Sequence, residues 1–405
     1  MQLSSRFVAD RPVTIERVRY AERWFPYLYR MPDGMLLLAL QHNVDNHFSP
    51  WFQMRSVDGG KSWTNPANNV PRICWWHGFA DGELFEIDTY GVQDPHAPEE
   101  SVYYGAWSFP GHPNDVPRKE LVRVRNTQRG QTAREMKGLP RHAWWPLWHR
   151  MHGDQPWGEY IWEGQQHIFI KGPYFTDVVE LPDGRLLAVG YGDHVAIYGS
   201  ADRGRHWDEI STIAIPPGDN QWVGNETAMR RLRDGRLYAV IRTDGQPWTL
   251  VGSFHHTWSE DEGRTWSTPT PLVLEDEPDH TVGCAWPRLA ALEDGALVLT
   301  YGRPGKNVVF DPTGTGRHWQ GRLDLHAWEL DTQALNGVPP EQRLRGIVGV
   351  DWTKRWERET DSGDYLGVVA TGPRELLVAY DVHSYIENWN AHPINGVRMV
   401  RVRLT

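Results

Sequence analysis

The chain has 405 residues, a formal charge of −10 and 22 tryptophans. The acidic balance argues against a nucleic-acid partner, because neutralising phosphates needs a basic face. No apolar run reaches the length of a membrane span.

Met1 to Pro12 lacks the apolar core of a signal peptide. As numbered, the expectation is a cytoplasmic protein, and a secreted one if the chain is trimmed. Val13 to Tyr20 alternates apolar and polar residues, as a half-buried strand does. A turn-plus-strand unit then recurs: P-D-G-M-L-L-L-A from Pro32, A-D-G-E-L-F-E-I from Ala80, P-D-G-R-L-L-A-V from Pro182, R-D-G-R-L-Y-A-V from Arg233 and E-D-G-A-L-V-L-T from Glu293. G-P-R-E-L-L-V-A from Gly372 is a degenerate copy. Asp-Gly between apolar runs marks a hairpin, and the nearly all-apolar second strand marks burial on both faces.

A second repeat is interleaved with the first. It reads S-V-D-G-G-K-S-W from Ser56, S-A-D-R-G-R-H-W from Ser200 and S-E-D-E-G-R-T-W from Ser259, with a degenerate D-P-T-G-T-G-R-H-W from Asp311. Its logic is local: the Asp carboxylate accepts turn amides, Gly takes positive φ, and Trp packs between adjacent sheets. Its role is structural. The tryptophan content suits such a Trp-stapled repeat and equally suits stacking on sugar rings.

The spacing is uneven, because the interval from Gly82 to Gly184 is roughly twice those on either side. Within it, Ser101 to Phe109 and Glu120 to Asn126 read as outer strands, and residues 127–171 read as a long functional insertion. Residues 336–362 form a second insertion. Gly396 to Leu404 alternates cleanly and is expected to share a sheet with the N-terminal strand, which closes a ring. The expectation is one all-β domain over residues 1–405, a six-bladed β-propeller, with seven blades as the alternative. Cys74 and Cys284 follow no ligand spacing and read as free buried thiols. His149 and His152 lie in a loop without a helical frame, so no metal and no cofactor are expected.

In a propeller the inner strands converge on the axis, and charged residues at their ends are the site candidates. These are Arg30 before the first Asp-Gly turn, Asp45 after the first hairpin, Glu226 and Arg242 at the two ends of the fourth, Arg303 ending the fifth, and Tyr365 opening the sixth. Each has a structural alternative: an ion pair between sheets, a surface loop residue, or a core tyrosine on a carbonyl.

With these residues the whole chain resembles the sialidase superfamily, six-bladed propellers with repeated Asp boxes. Y-R-M-P at Arg30 is similar to the family's R-I-P motif, and Glu226 with Arg242 is similar in placement to its Glu–Arg pair. Arg303 stands for its third arginine and Tyr365 for its nucleophile. The resemblance implies that Arg30, Arg242 and Arg303 clamp a substrate carboxylate, that Tyr365 attacks with Glu226 drawing off its proton, and that Asp45 is the general acid. The chain departs from the family at Asp45, followed by Asn-His in place of x-Arg, and at Arg303, set in G-R-P-G. The implied function is exo-cleavage of a terminal sugar bearing or adjoining a carboxylate, from an oligosaccharide or glycoconjugate. Alternatives are a uronate-directed lyase or rhamnosidase-type enzyme using His42, Tyr301 and Arg242, and a non-catalytic carbohydrate-binding propeller.

Overall fold

The computed structural model describes the chain apart from residues 1–6, 11–12, 18–22, 43–50, 65–66, 71–72, 89–91, 94–96, 98, 111, 113–115, 126–172, 193, 216–222, 245–253, 273–285, 294–296, 304–307, 311–316, 320–323, 331–343, 350–365, 383–395 and 405. The regular elements among the described residues are all strands. Two short N-terminal strands, β1 (Phe7–Ala9) and β2 (Val13–Arg17), are followed by the first sheet: β3 (Arg23–Arg30), β4 (Leu36–His42), β5 (Trp51–Ser56) and β6 (Ala67–Val70). The second sheet is β7 (Ile73–Gly78), β8 (Leu84–Asp88), β10 (Glu100–Ser108) and β11 (Arg118–Arg125), with β9 (Val92–Gln93) beside β10. The third is β12 (Tyr174–Glu180), β13 (Leu186–Tyr191), β14 (Val195–Ser200) and β15 (His206–Ile213).

The fourth sheet is β16 (Val223–Arg231), β17 (Leu237–Asp244), β18 (Phe254–Ser259) and β19 (Thr270–Pro271). The fifth is β20 (Arg288–Ala291), β21 (Leu297–Arg303), β24 (Asp324–Leu330) and β25 (Leu344–Gly349), accompanied by a separate hairpin of β22 (Val308–Phe310) and β23 (Arg317–Trp319). The last is β26 (Leu366–Gly372), β27 (Glu375–Val382) and β28 (Gly396–Leu404), and both β1 and β2 pair with β28. The two termini therefore share one sheet.

The first strands neighbour one another in the order β3, β7, β12, β16, β20, β26 and back to β3. Among the described residues this circuit is closed and the sheets radiate from it. Apolar layers lie between successive sheets. Phe85 and Trp107 face Phe175 and Tyr198; Leu187 and Ile197 face Met229 and Ile241; Val298 faces Val378; Leu377 and Met399 face Leu28 and Leu38. An all-apolar second strand such as Leu237–Ile241 follows directly, because each sheet buries both faces against its neighbours. The second and third sheets are also joined at their outer edges, where β11 runs parallel to β15.

Four first hairpins among the described residues turn on the Asp-Gly motif in the same way. In the first, Gly34 N–H donates to Met31 O at 2.9 Å, Met35 N–H to Asp33 Oδ1 at 2.9 Å, and Gly34 has φ +91. The turns at Gly82, Gly184 and Gly235 repeat these bonds, with φ between +85 and +95. The interleaved Ser-x-Asp turns are equally regular. In the third, Asp261 Oδ1 accepts Thr265 N–H at 2.8 Å and Ser259 Oγ at 2.8 Å, and Ser259 Oγ accepts Gly263 N–H at 2.8 Å. Trp266 then packs beside the layer between the third and fourth sheets.

Both turn sets sit at one end of the sheets, where they fasten each sheet to the one before. Arg203, in the third sheet, pairs with Asp81 at 2.9 Å and Glu83 at 2.8 Å in the second. Glu262, in the fourth, pairs with Arg185 in the third at 2.6 Å. Arg401 of the last sheet donates to Gly59 O of the first at 2.5 Å.

Candidate functional site

The opposite end of the sheets differs in kind. There the first strands are irregular: register shifts fall between Trp24 and Tyr27 in β3, Ile73 and Trp75 in β7, Phe175 and Asp177 in β12, and Gly224 and Thr227 in β16. A bulge adds residues to one strand and re-aims a side chain. In β16 the residues set out in this way are Asn225 and Glu226. The Asn225 side chain accepts the Glu226 N–H at 2.8 Å and its carbonyl accepts the Thr227 hydroxyl at 2.8 Å, which fixes the bulge.

The bulge brings Glu226 onto Arg242, whose Nη1 donates to Glu226 Oε2 at 2.7 Å. Glu226 is 7% exposed, and the Arg242 side chain is 21% exposed. The pair thus combines a sequestered carboxylate with a guanidinium that keeps some contact with solvent. Bulged Thr176 of the neighbouring sheet donates to Thr227 O at 2.8 Å, which locks the two sheets beside Glu226. Next to it, Tyr174 and Tyr191 stack at 5.2 Å, and both are half-buried. The segments that join one sheet to the next, including the chain from Arg125 to Tyr174, leave and enter at this end.

Further along the first strands the polar groups neutralise one another. Asp177 accepts Arg230 and the Met229 N–H. His77 meets Glu180 at 2.9 Å, and burial drives its imidazole below the ordinary range against the pull of that carboxylate. Burial pushes the Tyr29 phenol up, although Tyr29 Oη accepts the Gly78 N–H at 2.6 Å.

One cation in the circuit is handled differently. Arg288, in β20, sits against two rings that meet edge to face, its guanidinium carbon 3.9 Å from the centre of Trp286 and 4.7 Å from that of Tyr27. Tyr27 belongs to the first sheet and Trp286 just precedes the fifth, so the cluster bridges the last sheet, which lies between them. Gly367 of β26 makes this approach possible: a Cβ there would stand 2.6 Å from Leu28 N and 2.7 Å from Pro26 O.

Of the residues named from the sequence, the structure brings Glu226 and Arg242 together. It sets Arg30 apart. Arg30 pairs with Leu36 beside the Asp-Gly turn and donates to Ala370 O at 3.4 Å, at the turn end of the last sheet. Its counterpart in the fourth sheet is Arg231, five residues beyond Glu226, or about 16 Å of strand. The expectation that Arg30 joins Arg242 in one clamp is therefore corrected: the Y-R-M-P stretch finishes its strand at the far end. His42 closes β4, and Tyr301 and Arg303 lie at the end of β21; their backbones reach the same end as Glu226 and Arg242. Asp45 and Tyr365 lie outside the described residues. Arg288 was missed from the sequence, where its only signal was a charged residue inside a first strand. Among the described residues no group of three His, Cys, Asp or Glu side chains comes together to hold a metal.

The family of BNR repeat-like domains matches residues 158–353. Solved structures show how widely the chain's fold is shared. A protein of unknown function from Dyadobacter fermentans is similar over 98% of this chain and 99% of its own, with 16% identity and a TM-score of 0.58. A mutant of the NanB sialidase from Streptococcus pneumoniae is similar over 97% and 71%, with 12% identity and a TM-score of 0.52. The α-L-arabinanase of Penicillium chrysogenum, complexed with arabinobiose, is similar over 98% and 99%, with 13% identity and a TM-score of 0.50. The likeness is one of fold: the chain is an all-β propeller. By sequence it matches none of the curated proteins.

Proposed function

We propose that the chain is an exo-acting glycosidase that releases a terminal sugar bearing or adjoining a carboxylate. The observation that carries this reading is the Glu226–Arg242 pair. Glu226, buried on a bulged first strand, meets the partly exposed Arg242 of the next strand at the sheet end where the connecting segments leave and enter. In this reading Arg242 binds the substrate carboxylate, Glu226 draws the proton from Tyr365 as it attacks the anomeric carbon, and Asp45 protonates the leaving oxygen. A neutral phenol suits a substrate whose negative charge repels a carboxylate nucleophile. In this reading Arg303 and Tyr301, at the end of a strand of the fifth sheet, and His42, at the end of a strand of the first, take part in binding the substrate. The propellers of the sialidase and the arabinanase support a sugar substrate. The stacked Tyr174–Tyr191 pair supplies a flat surface of the kind on which sugars rest.

The test is a panel of three assays on the purified protein: release of a fluorescent aglycone from a sialoside, appearance of unsaturated uronate from acidic polysaccharides, and release of terminal rhamnose next to a uronate. Turnover of a glycoside that disappears in Tyr365→Phe supports the reading. An unsaturated product assigns the chain to the lyases instead, with His42, Tyr301 and Arg242 as its acting residues. Silence in all three overturns the enzyme.

A further inference from the structure

We infer that Thr176, in the third sheet, is a positioning residue that holds Glu226 of the fourth sheet against Arg242. This role rests on the reading of that pair as catalytic, and Thr176 fills it through the backbone of β16.

Consecutive residues of a regular strand face opposite sides of the sheet. Thr176 and Asp177 depart from that rule, because the register of β12 shifts between Phe175 and Asp177. Both side chains reach β16, the first strand of the fourth sheet, whose second edge has no strand paired to it among the described residues. The Thr176 hydroxyl donates to Thr227 O at 2.8 Å, and Asp177 Oδ2 accepts the Met229 N–H at 3.0 Å. Two side chains thus stand in for a neighbouring strand. Val189 O, in Thr176's own sheet, lies farther from the same hydroxyl, at 3.4 Å. Thr176 is 2% exposed, so losing the hydroxyl leaves a buried carbonyl one partner short.

The bond lands where β16 is least regular. Pairing with β17 is interrupted between Gly224 and Thr227, so the ladder does not fix Asn225 and Glu226. Three side-chain bonds hold this stretch. Asn225 Oδ1 accepts the Glu226 N–H, Thr227 Oγ1 donates to Asn225 O, and Thr176 fastens Thr227 from the next sheet. The first two lie within the bulge and move with it, whereas the third ties it to another sheet. A bulge that relaxed by one residue would turn Glu226 to the other face, away from Arg242. Plain fastening of two sheets looks different. The Ser211 hydroxyl also donates from the third sheet to the fourth, to Gly263 O, but it meets the Ser-x-Asp turn rather than the bulge.

The test compares Thr176→Val, which removes the hydroxyl, with Thr176→Ser, which keeps it, and with Ser211→Ala, which cuts the bond to the turn. Two quantities are read: kcat and KM on the glycoside found in the assay panel, and the rate at which phenylglyoxal modifies Arg242, followed on its peptide. Thr176→Val is expected to lower kcat about tenfold with KM changed by less than about twofold, since a misplacement of about 1 Å can cost roughly a hundredfold. It should also speed modification of Arg242, whose guanidinium is released from Glu226. Thr176→Ser should restore both quantities. Ser211→Ala should lower the urea midpoint and leave both native. Where Thr176→Val folds poorly, Thr176→Ala takes its place. Native kcat and native Arg242 reactivity in Thr176→Val, whatever its urea midpoint, overturn the positioning role and leave the glycosidase standing. A rise in KM alone also overturns it. Where no glycoside is turned over, the glycosidase reading fails and Arg242 reactivity decides by itself. Faster modification in Thr176→Val then keeps Thr176 as the residue that holds the pair, and an unchanged rate overturns that too.

Discussion

The two ends of the same six first strands obey different rules. At the turn end, the four Asp-Gly turns and the three Ser-x-Asp turns among the described residues each repeat one set of hydrogen bonds, and Arg185, Arg203 and Glu262 there have partners in their own turn or in the adjoining sheet. At the other end the strands are bulged and no two carry the same residues: Glu226 stands where the third sheet has Thr176 and the second has Cys74. The first end makes the fold and the second varies without harming it. A propeller tolerates this division because its stability comes from apolar layers between sheets, which neither end interrupts.

The largest effect is expected at the variable end. Glu226→Ala should lower glycosidase turnover by at least about a hundredfold, the contribution of a positioned acid–base group. It should also cost about 2–4 kcal/mol of stability, because Arg242 loses its partner in a partly buried setting. Glu226→Gln keeps the shape and a hydrogen bond, so it should lose the activity with a smaller loss of stability. Rates on the substrate found in the assay panel, set beside urea midpoints, separate the two. If Glu226→Gln remains fully active, the pair belongs with the structural ion pairs of the turn end.

The contrast between the ends also decides what was legible in the sequence. The turns were readable because their bonds are local: Asp33 holds an amide two residues on, and Asp261 holds one four residues on. Alternation in Val13–Arg17 and Gly396–Leu404 foretold strands, and their pairing follows from the need to cover an edge. Glu226 and Arg242 were also legible, since both ends of one hairpin must meet. Arg30 was misplaced because sequence does not say which end of a first strand faces the axial site. Arg288 was invisible because its neighbours, Tyr27 and Leu366, come from sheets far away in the chain.

At the turn end, glycines separate backbone strain from packing. Gly184 has φ +85 and open space around it, so Gly184→Ala should cost only the left-handed backbone, about 1–2 kcal/mol. Gly204 has φ +88, and a Cβ there would lie 2.3 Å from the Phe85 ring of the preceding sheet. Gly204→Ala should therefore lose about 1–3 kcal/mol more, through overpacking. Equal urea midpoints for the two would show that the turn end does not pack tightly between sheets.

Acid should weaken the turn end. Hydrogen bonds, first from Ser62, hold the Asp58 carboxyl well below its usual range. Partial burial opposes ionisation of Asp202 and Asp261, yet bonds from His206 and Thr265 bring both below it as well. A carboxyl depressed in the folded state contributes stability that is complete above its unfolded value, near 4, and is lost as pH falls toward the folded one. Melting temperature should hold between about pH 5 and 7 and drop below about pH 4. Asp261→Asn should lower the neutral plateau and flatten the drop. An unchanged slope would mean that these turns do not set the acid limit.

The smallest effect probes how the turns fasten one sheet to the next. The Ser-x-Asp turn needs two successive residues with positive φ. The first copy uses Gly59 and Gly60, while the others place Arg203 at φ 61 and Glu262 at φ 57 before the glycine. A side chain in that conformation costs about 1 kcal/mol relative to glycine. Glu262 offsets it with one bond to Arg185, but both side chains are more than a third exposed, which limits the pair to about 0.2–1 kcal/mol. Glu262→Gly should therefore leave the urea midpoint nearly unchanged. Arg203 holds Asp81 and Glu83 and lies 3.8 Å over the Phe79 ring. Arg203→Gly gives up three contacts for the same relief and should be destabilising. If Glu262→Gly proves the more damaging of the two, the Arg185 bond is the stronger fastener, and the regular end holds its sheets by single ion pairs rather than by packing.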